Sequence, residues 1–230
     1  MHNFLRRNRH ELIERCKVKV AQRPKRAATA KQLENGVPMF LDQLTRTLEA
    51  EQANEADQSM QISGPAGGDV RALSEMGVSA TAHGKQLLKL GYTVDQVVHD
   101  YGDLCQAITD LAFERDAPFA VAEFRTLNRC LDEAIADAVT AFTDERENAI
   151  LQESTNLHLR LGKLADDHKK LVEIAVQTLG GIQSGTVGVA GATGLALVST
   201  LMQLRDLVEA ALPEIRLMSG MTTLRATPLE

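Results

Sequence analysis

Apolar residues recur along most of the chain in steps of three and four, and that spacing predicts helices. Phe4, Leu5, Leu12, Ile13, Cys16 and Val20 fall mainly on one side of a first helix, which RPKRAAT around Pro24 interrupts. Leu33, Val37, Phe40, Leu41, Leu44 and Leu48 mark a second, with Gly36 and Pro38 near its beginning. Residues 50–70 (EAEQANEADQSMQISGPAGGD) are polar and Gly-rich and read as a mobile loop. A third helix is expected from about Val70 to Leu90. Thr93 is a good N-cap for a fourth, with Asp95 near the positive end of its dipole. There Val97, Val98, Tyr101, Leu104, Cys105, Ile108 and Leu111 form a broad apolar face, and Asp116-Ala117-Pro118 ends it.

From Phe119 to Ile182 the chain has no proline, and its only glycines are Gly162, Gly180 and Gly181. A continuous helix of that length would reach roughly 90 Å and needs a partner along its length. Its second half carries a stripe at Leu157, Leu161, Leu164, His168, Leu171, Ala175, Leu179 and Ile182, in the alternating rhythm of a coiled coil. SGTVGVAGATG follows. No Gly-Lys-Ser/Thr ends this run and no strand precedes it, so it reads as a connection between helices rather than a phosphate loop. A last helix aligns Leu197, Leu201, Leu204, Val208, Leu212 and Ile215, with Pro213 near its end. Two striped helices joined by a short loop form an αα-hairpin. One hairpin cannot cover both stripes, whereas two hairpins packed as a four-helix bundle can. A homodimer is therefore expected on physical grounds.

Composition sharpens this picture. No Trp, two Tyr and six Phe in 230 residues disfavour an aromatic-rich sheet sandwich and point to an all-α fold. No run of about 18 apolar residues is present, so no membrane span is expected. Three widely separated cysteines (Cys16, Cys105, Cys130) suit a reducing cytoplasm better than a disulfide framework or zinc site. Residues 1–27 hold nine Lys/Arg against two Glu, while the remainder is acidic. That basic first helix is open to nucleic acid or lipid. The plainer reading is a solvated face paired with acidic helices elsewhere, because no aromatics interleave to stack on bases. Nucleic acid is not an expected partner.

The stretch LRLGKLADDHKKLVEIAVQTLGGIQSGTVGVAGATGLALVSTLMQLRDLVEAALPEIRL resembles the dimerisation-and-phosphoacceptor hairpin of a group of bacterial sensor histidine kinases. FLRRNRHELIERC, HGKQLLKLGYTVDQVVHDYGDLCQAITDLA and LNRCLDEAIADAVTAF resemble the helical N-terminal domain of RsbT co-antagonist (RsbRD-type) proteins. The resemblance implies a helical sensor domain at 1–145, a kinase-like dimerisation hairpin at 146–220 and a disordered tail at 221–230. Where the kinase pattern places its phosphoacceptor histidine, this chain has Asp166; Lys169 keeps the basic position, and His168 comes two residues late. Two residues on a helix are about 200° apart. If the leucine stripe faces the dimer core, Asp166 points out and His168 points in, where in-line phosphoryl transfer is closed to it. His168 is then a packing or interface histidine, a shifted phosphoacceptor or a pH-sensing group. The kinase also needs an ATP-binding domain, and only about ten residues follow Gly220.

In the sensor half, His83, His99, Asp100, Tyr101 and Cys105 cluster in the stretch that matches best. His99 lies about 200° from Tyr101 on its helix, and Asp95, four residues before it, can orient its ring. His83 and His99 are candidate interhelical ligands for metal or haem. Without a third spaced ligand, neither a metal nor any cofactor is expected. The resulting expectation is a cytoplasmic, non-catalytic two-component regulator that senses an input. Its dimeric hairpin would act on a partner histidine kinase or a response-regulator receiver domain. The alternatives are a phosphotransfer protein using His168, a piece of a longer sensor kinase, or a module binding nucleic acid or lipid through its first helix.

Overall fold

The computed structural model describes residues 1–21, 36–65, 67 and 74–224. The fold is all-α: the helices are α1 (His2–Ala21), α2 (Val37–Gln52), α3 (Ala56–Ser63), α4 (Glu75–Lys89), α5 (Val94–Glu114), α6 (Val121–Gln183) and α7 (Ala192–Leu224), with no strand among the described residues. The chain divides into two compact units, Met1–Ile150 and Leu151–Glu230. Helix α6 begins in the first and ends in the second.

The first unit forms because each of its helices has an apolar stripe with somewhere to go. Leu5, Leu12 and Cys16 of α1, Leu41, Leu44 and Leu48 of α2, and Leu104, Ile108 and Leu111 of α5 enter one core. Helix α1 packs on α2 and α5, and α2 packs on α3 and α4. From α6 the core takes Leu127, Cys130, Leu131, Ala134, Ala138 and Phe142, a run of 3.6-residue period. Helix α4 meets α6 at Gly84, where a Cβ would lie 2.1 Å from the Ala138 carbonyl oxygen. Only a residue without a side chain permits so close an approach.

Helix starts follow local chemistry. Thr93 caps α5 with a full capping box: Gln96 N donates to Thr93 Oγ1 at 3.3 Å, and Thr93 N donates to Gln96 Oε1 at 3.0 Å. Ser74 caps α4, accepting from Gly77 N at 3.0 Å. The expected start of that helix at Val70, the segment around Pro24 and Leu33 all lie outside the described residues.

Two expectations need correction. Part of the anticipated mobile loop at 50–70 is helix α3. Its sequence, ADQSMQIS, has only two apolar residues beyond alanine, and its order comes from tertiary contacts. Ile62, Ser59 and Ser63 are buried. Arg129 of α6 donates to Ser63 Oγ (2.9 Å), to the Gly64 carbonyl (3.1 Å) and to Glu51 Oε1 (2.8 Å). Ser59 and Thr126 donate to the same Glu51 carboxylate. The second correction concerns the tail expected from residue 221: α7 runs through Leu224, and Pro213 sits inside it.

The second unit is two helices and the connection Ser184–Gly191. Ser184 and Thr186 hydroxyls both donate to the Gly181 carbonyl and close the end of α6. Among its described residues only Ala175 and Thr200 are buried.

Candidate functional site

The sensor candidates divide between two sides of α5. Tyr101 points into the first unit at 7% exposure. Its ring meets Phe40 edge-on at 5.9 Å and His83 edge-on at 6.3 Å. Burial raises the Tyr101 hydroxyl above its usual range, and the charges of Asp100 and Asp137 push it the same way. Burial alone lowers His83 to about 4, so its imidazole is neutral at neutral pH. His83 Nδ1 is buried without a hydrogen-bond partner among the described residues.

Gly36 makes room for that ring. A Cβ there would lie 2.6 Å from His83 Cε1 and Nε2, and its φ of 99° lies in the region that side chains avoid. The Gly36 noted in the sequence as a helix-start signal is thus also the floor under the imidazole. That second role leaves no trace in the sequence, because 47 positions separate the two residues.

Cys105, one turn after Tyr101, is half-buried, and burial raises its thiol. Asp100 is half-buried. His99 lies on the solvent side of α5, with Nε2 3.3 Å from Asp95 Oδ1. His83 therefore faces Tyr101 and not His99. No group of three or more His, Cys, Asp or Glu side chains able to hold a metal occurs among the described residues. Cys16 and Cys130 are buried free thiols, raised to about 12 and about 11 chiefly by burial.

The basic α1 is matched by acidic neighbours. Arg9 pairs with Asp42 (2.8 Å), Arg15 with Glu114 (2.5 Å) and Glu11 (2.8 Å), and Lys19 with Asp110 (3.2 Å). Arg6 pairs with Glu49. Pairs this exposed add little stability each, but they give the helix a protein counter-charge. No helix among the described residues is long and apolar enough to cross a membrane.

In the second unit, Asp166 and His168 are exposed and Asp167 is half-buried. Lys169 lies 3.9 Å from Glu173, one turn on. His168 borders an open apolar groove of about 350 Å³ together with Leu161, Leu164, Val208, Leu212 and Ile215. Asp166 does not line this groove. The two residues thus take different sides of α6, as a separation of about 200° requires. Comparison with known proteins returns no matching family model, no similar curated protein and no similar solved structure.

Proposed function

We propose that this chain is a non-catalytic signalling regulator of two-component type. Its first unit takes an input, and its second unit dimerises as a four-helix bundle that modulates a partner histidine kinase or receiver domain. One observation carries the reading: the second unit has two apolar faces and almost no interior. Val176 is 63% exposed, Leu201 52%, Val208 44% and Leu212 39%. Large contiguous apolar surface of this kind marks an interface, and burying each such side chain contributes about 1.5–3 kcal/mol. A second copy of the hairpin supplies the missing half of a bundle with the same spacing of stripes. Resemblance to a kinase hairpin, with Asp166 in the phosphoacceptor position, supports a regulatory rather than a catalytic output.

Sedimentation equilibrium tests the dimer. A dimer at micromolar concentration is expected, and Leu212→Lys shifts it to monomer without loss of helicity. A wild-type monomer at that concentration removes the basis of the reading. The exposure of His168 in the single chain favours one second reading, a phosphotransfer protein. Incubation with a phosphorylated receiver domain separates the two. The regulator leaves no acid-labile label on the chain; a label present in wild type and absent in His168→Ala establishes phosphotransfer instead.

A further inference from the structure

Each helix of the second unit has two apolar faces. One closes the hairpin: Leu164, Leu171 and Ala175 of α6 and Leu197, Thr200 and Leu204 of α7 are buried or half-buried. The other lies in solvent. It carries Leu161, Ala165, His168, Val172, Val176 and Leu179 on α6, and Val198, Leu201, Arg205, Val208 and Leu212 on α7, all of them exposed. We infer that His168 and Arg205, the polar members of these outer faces, form one layer that fixes the register of a second copy of the hairpin. The inference rests on the dimer proposed above and adds the residues that align it.

Spacing and height define the layer. Both outer faces advance in steps of three and four residues, the spacing of a bundle seam. His168 and Val208 border the same groove, and Arg205 precedes Val208 by less than one turn. The two polar side chains therefore stand within about 5 Å of the same height along the hairpin. From Ile174 to Leu204, through the connection, there is no Asp, Glu, Lys, Arg or His. Ala165 and Leu161 on α6, and Val208 and Leu212 on α7, continue the apolar faces on the other side of the layer. The seam is thus apolar on both sides of one polar level.

Covering such a level has consequences that depend on what covers it. A charge taken into an apolar seam is disfavoured unless it is paired. Arg205 brings its counter-charges along: Nε and Nη2 donate to Asp206 Oδ1 at 3.0 and 2.8 Å, and Nε lies 3.8 Å from Glu209 Oε1. Its other N–H groups need an acceptor once water is excluded. A guanidinium only donates, whereas a neutral imidazole keeps one accepting nitrogen. In a second copy at matching register the polar layers coincide, and guanidinium and imidazole face each other across the seam. A slip of one turn sets Arg205 against valine and leucine, which accept nothing. One polar position in an apolar seam selects register in this way, at a cost in affinity. The same match identifies the occupant as a second copy, because a purely apolar helix would leave Arg205 and His168 without partners.

Sedimentation equilibrium and dipolar spin-label spectroscopy on the full chain test this, with a nitroxide at Gln203→Cys in a Cys105→Ala background. With His168 and Arg205 in place, a dimer with one label-to-label distance is expected. The double variant His168→Leu/Arg205→Leu should dimerise at least about tenfold more tightly, because apolar residues in place of a buried polar pair commonly strengthen association. It should also show several distances. Arg205→Gln keeps a side-chain donor in the layer and should keep the single distance. Circular dichroism verifies the helicity of each variant. Unchanged or weaker dimerisation of the double variant, a single distance in it, or several distances in Arg205→Gln would each overturn the assignment and leave the dimer standing. A monomer with both residues in place removes the dimer reading and this assignment with it.

Discussion

Leu104 and Leu212 are the same residue type at equivalent places in an apolar helical stripe, yet one is 1% exposed and the other 39%. The difference belongs to the two units. In the first, stripes from α1, α2, α4, α5 and α6 converge on one core. In the second, two helices face each other along one side and leave the flanking apolar side chains in solvent. Periodicity is equally regular in both. What differs is the number of helices available to close around it, and this leaves apolar side chains of the second unit in solvent where those of the first are covered.

Substitutions of matched residues test that contrast, beginning with glycine. Gly84→Leu places a side chain into the Ala138 backbone and should cost more than about 5 kcal/mol, enough to unfold the first unit. Gly162→Leu has nothing within 4 Å of its Cβ and should gain about 0.5–1 kcal/mol of helix propensity. Urea unfolding followed by circular dichroism distinguishes them. Equal effects would mean the two units are packed alike.

Leucine gives the next largest difference. Leu104→Ala should cost about 2–5 kcal/mol at any protein concentration. Leu212→Ala should cost under about 1 kcal/mol in a dilute monomer, with its main effect in the dissociation constant of the dimer. A concentration-independent loss at Leu212 would contradict an interface there.

Titration is smaller and specific to the first unit. His83 has a folded-state value of about 4 against about 6.5 when unfolded. Between those values the unfolded chain binds the extra proton, so stability rises with pH. The contribution is fully present above about 6.5, falls as the pH drops, and levels off below about 4, a total of up to about 3 kcal/mol. In His83→Leu that segment of the stability–pH curve should flatten. An unchanged slope would show that His83 is not held neutral by burial.

The smallest effect is local. Thr93→Ala removes one half of the α5 capping box and should lower stability by about 1 kcal/mol. The loss should appear in thermal unfolding of the first unit and leave dimerisation untouched.

Much of the fold was legible from one-dimensional pattern. The face of α5 apart from Val98, which is 41% exposed, the cap at Thr93, the stop at Asp116–Pro118 and the unbroken α6 all follow from residues within a few positions of one another. Helix α3 was not legible. Its polar residues look like loop until Arg129, 66 positions after Ser63, is placed beside them. The candidate site divides in the same way. That His99 and Tyr101 lie on opposite sides of α5 is a consequence of helix geometry. That Tyr101 meets His83, and that Gly36 makes room for the imidazole, depends on three helices meeting.

The sequence by itself determined an all-α chain, most of its helix faces and the cap at Thr93, because those depend on rotation per residue and on hydrogen bonds within one turn. Only tertiary structure decided which faces are covered, that His83 loses its water and its charge, and that the hairpin keeps its leucines outside. Burial is a property of what packs against a side chain, and no stretch of chain specifies that alone.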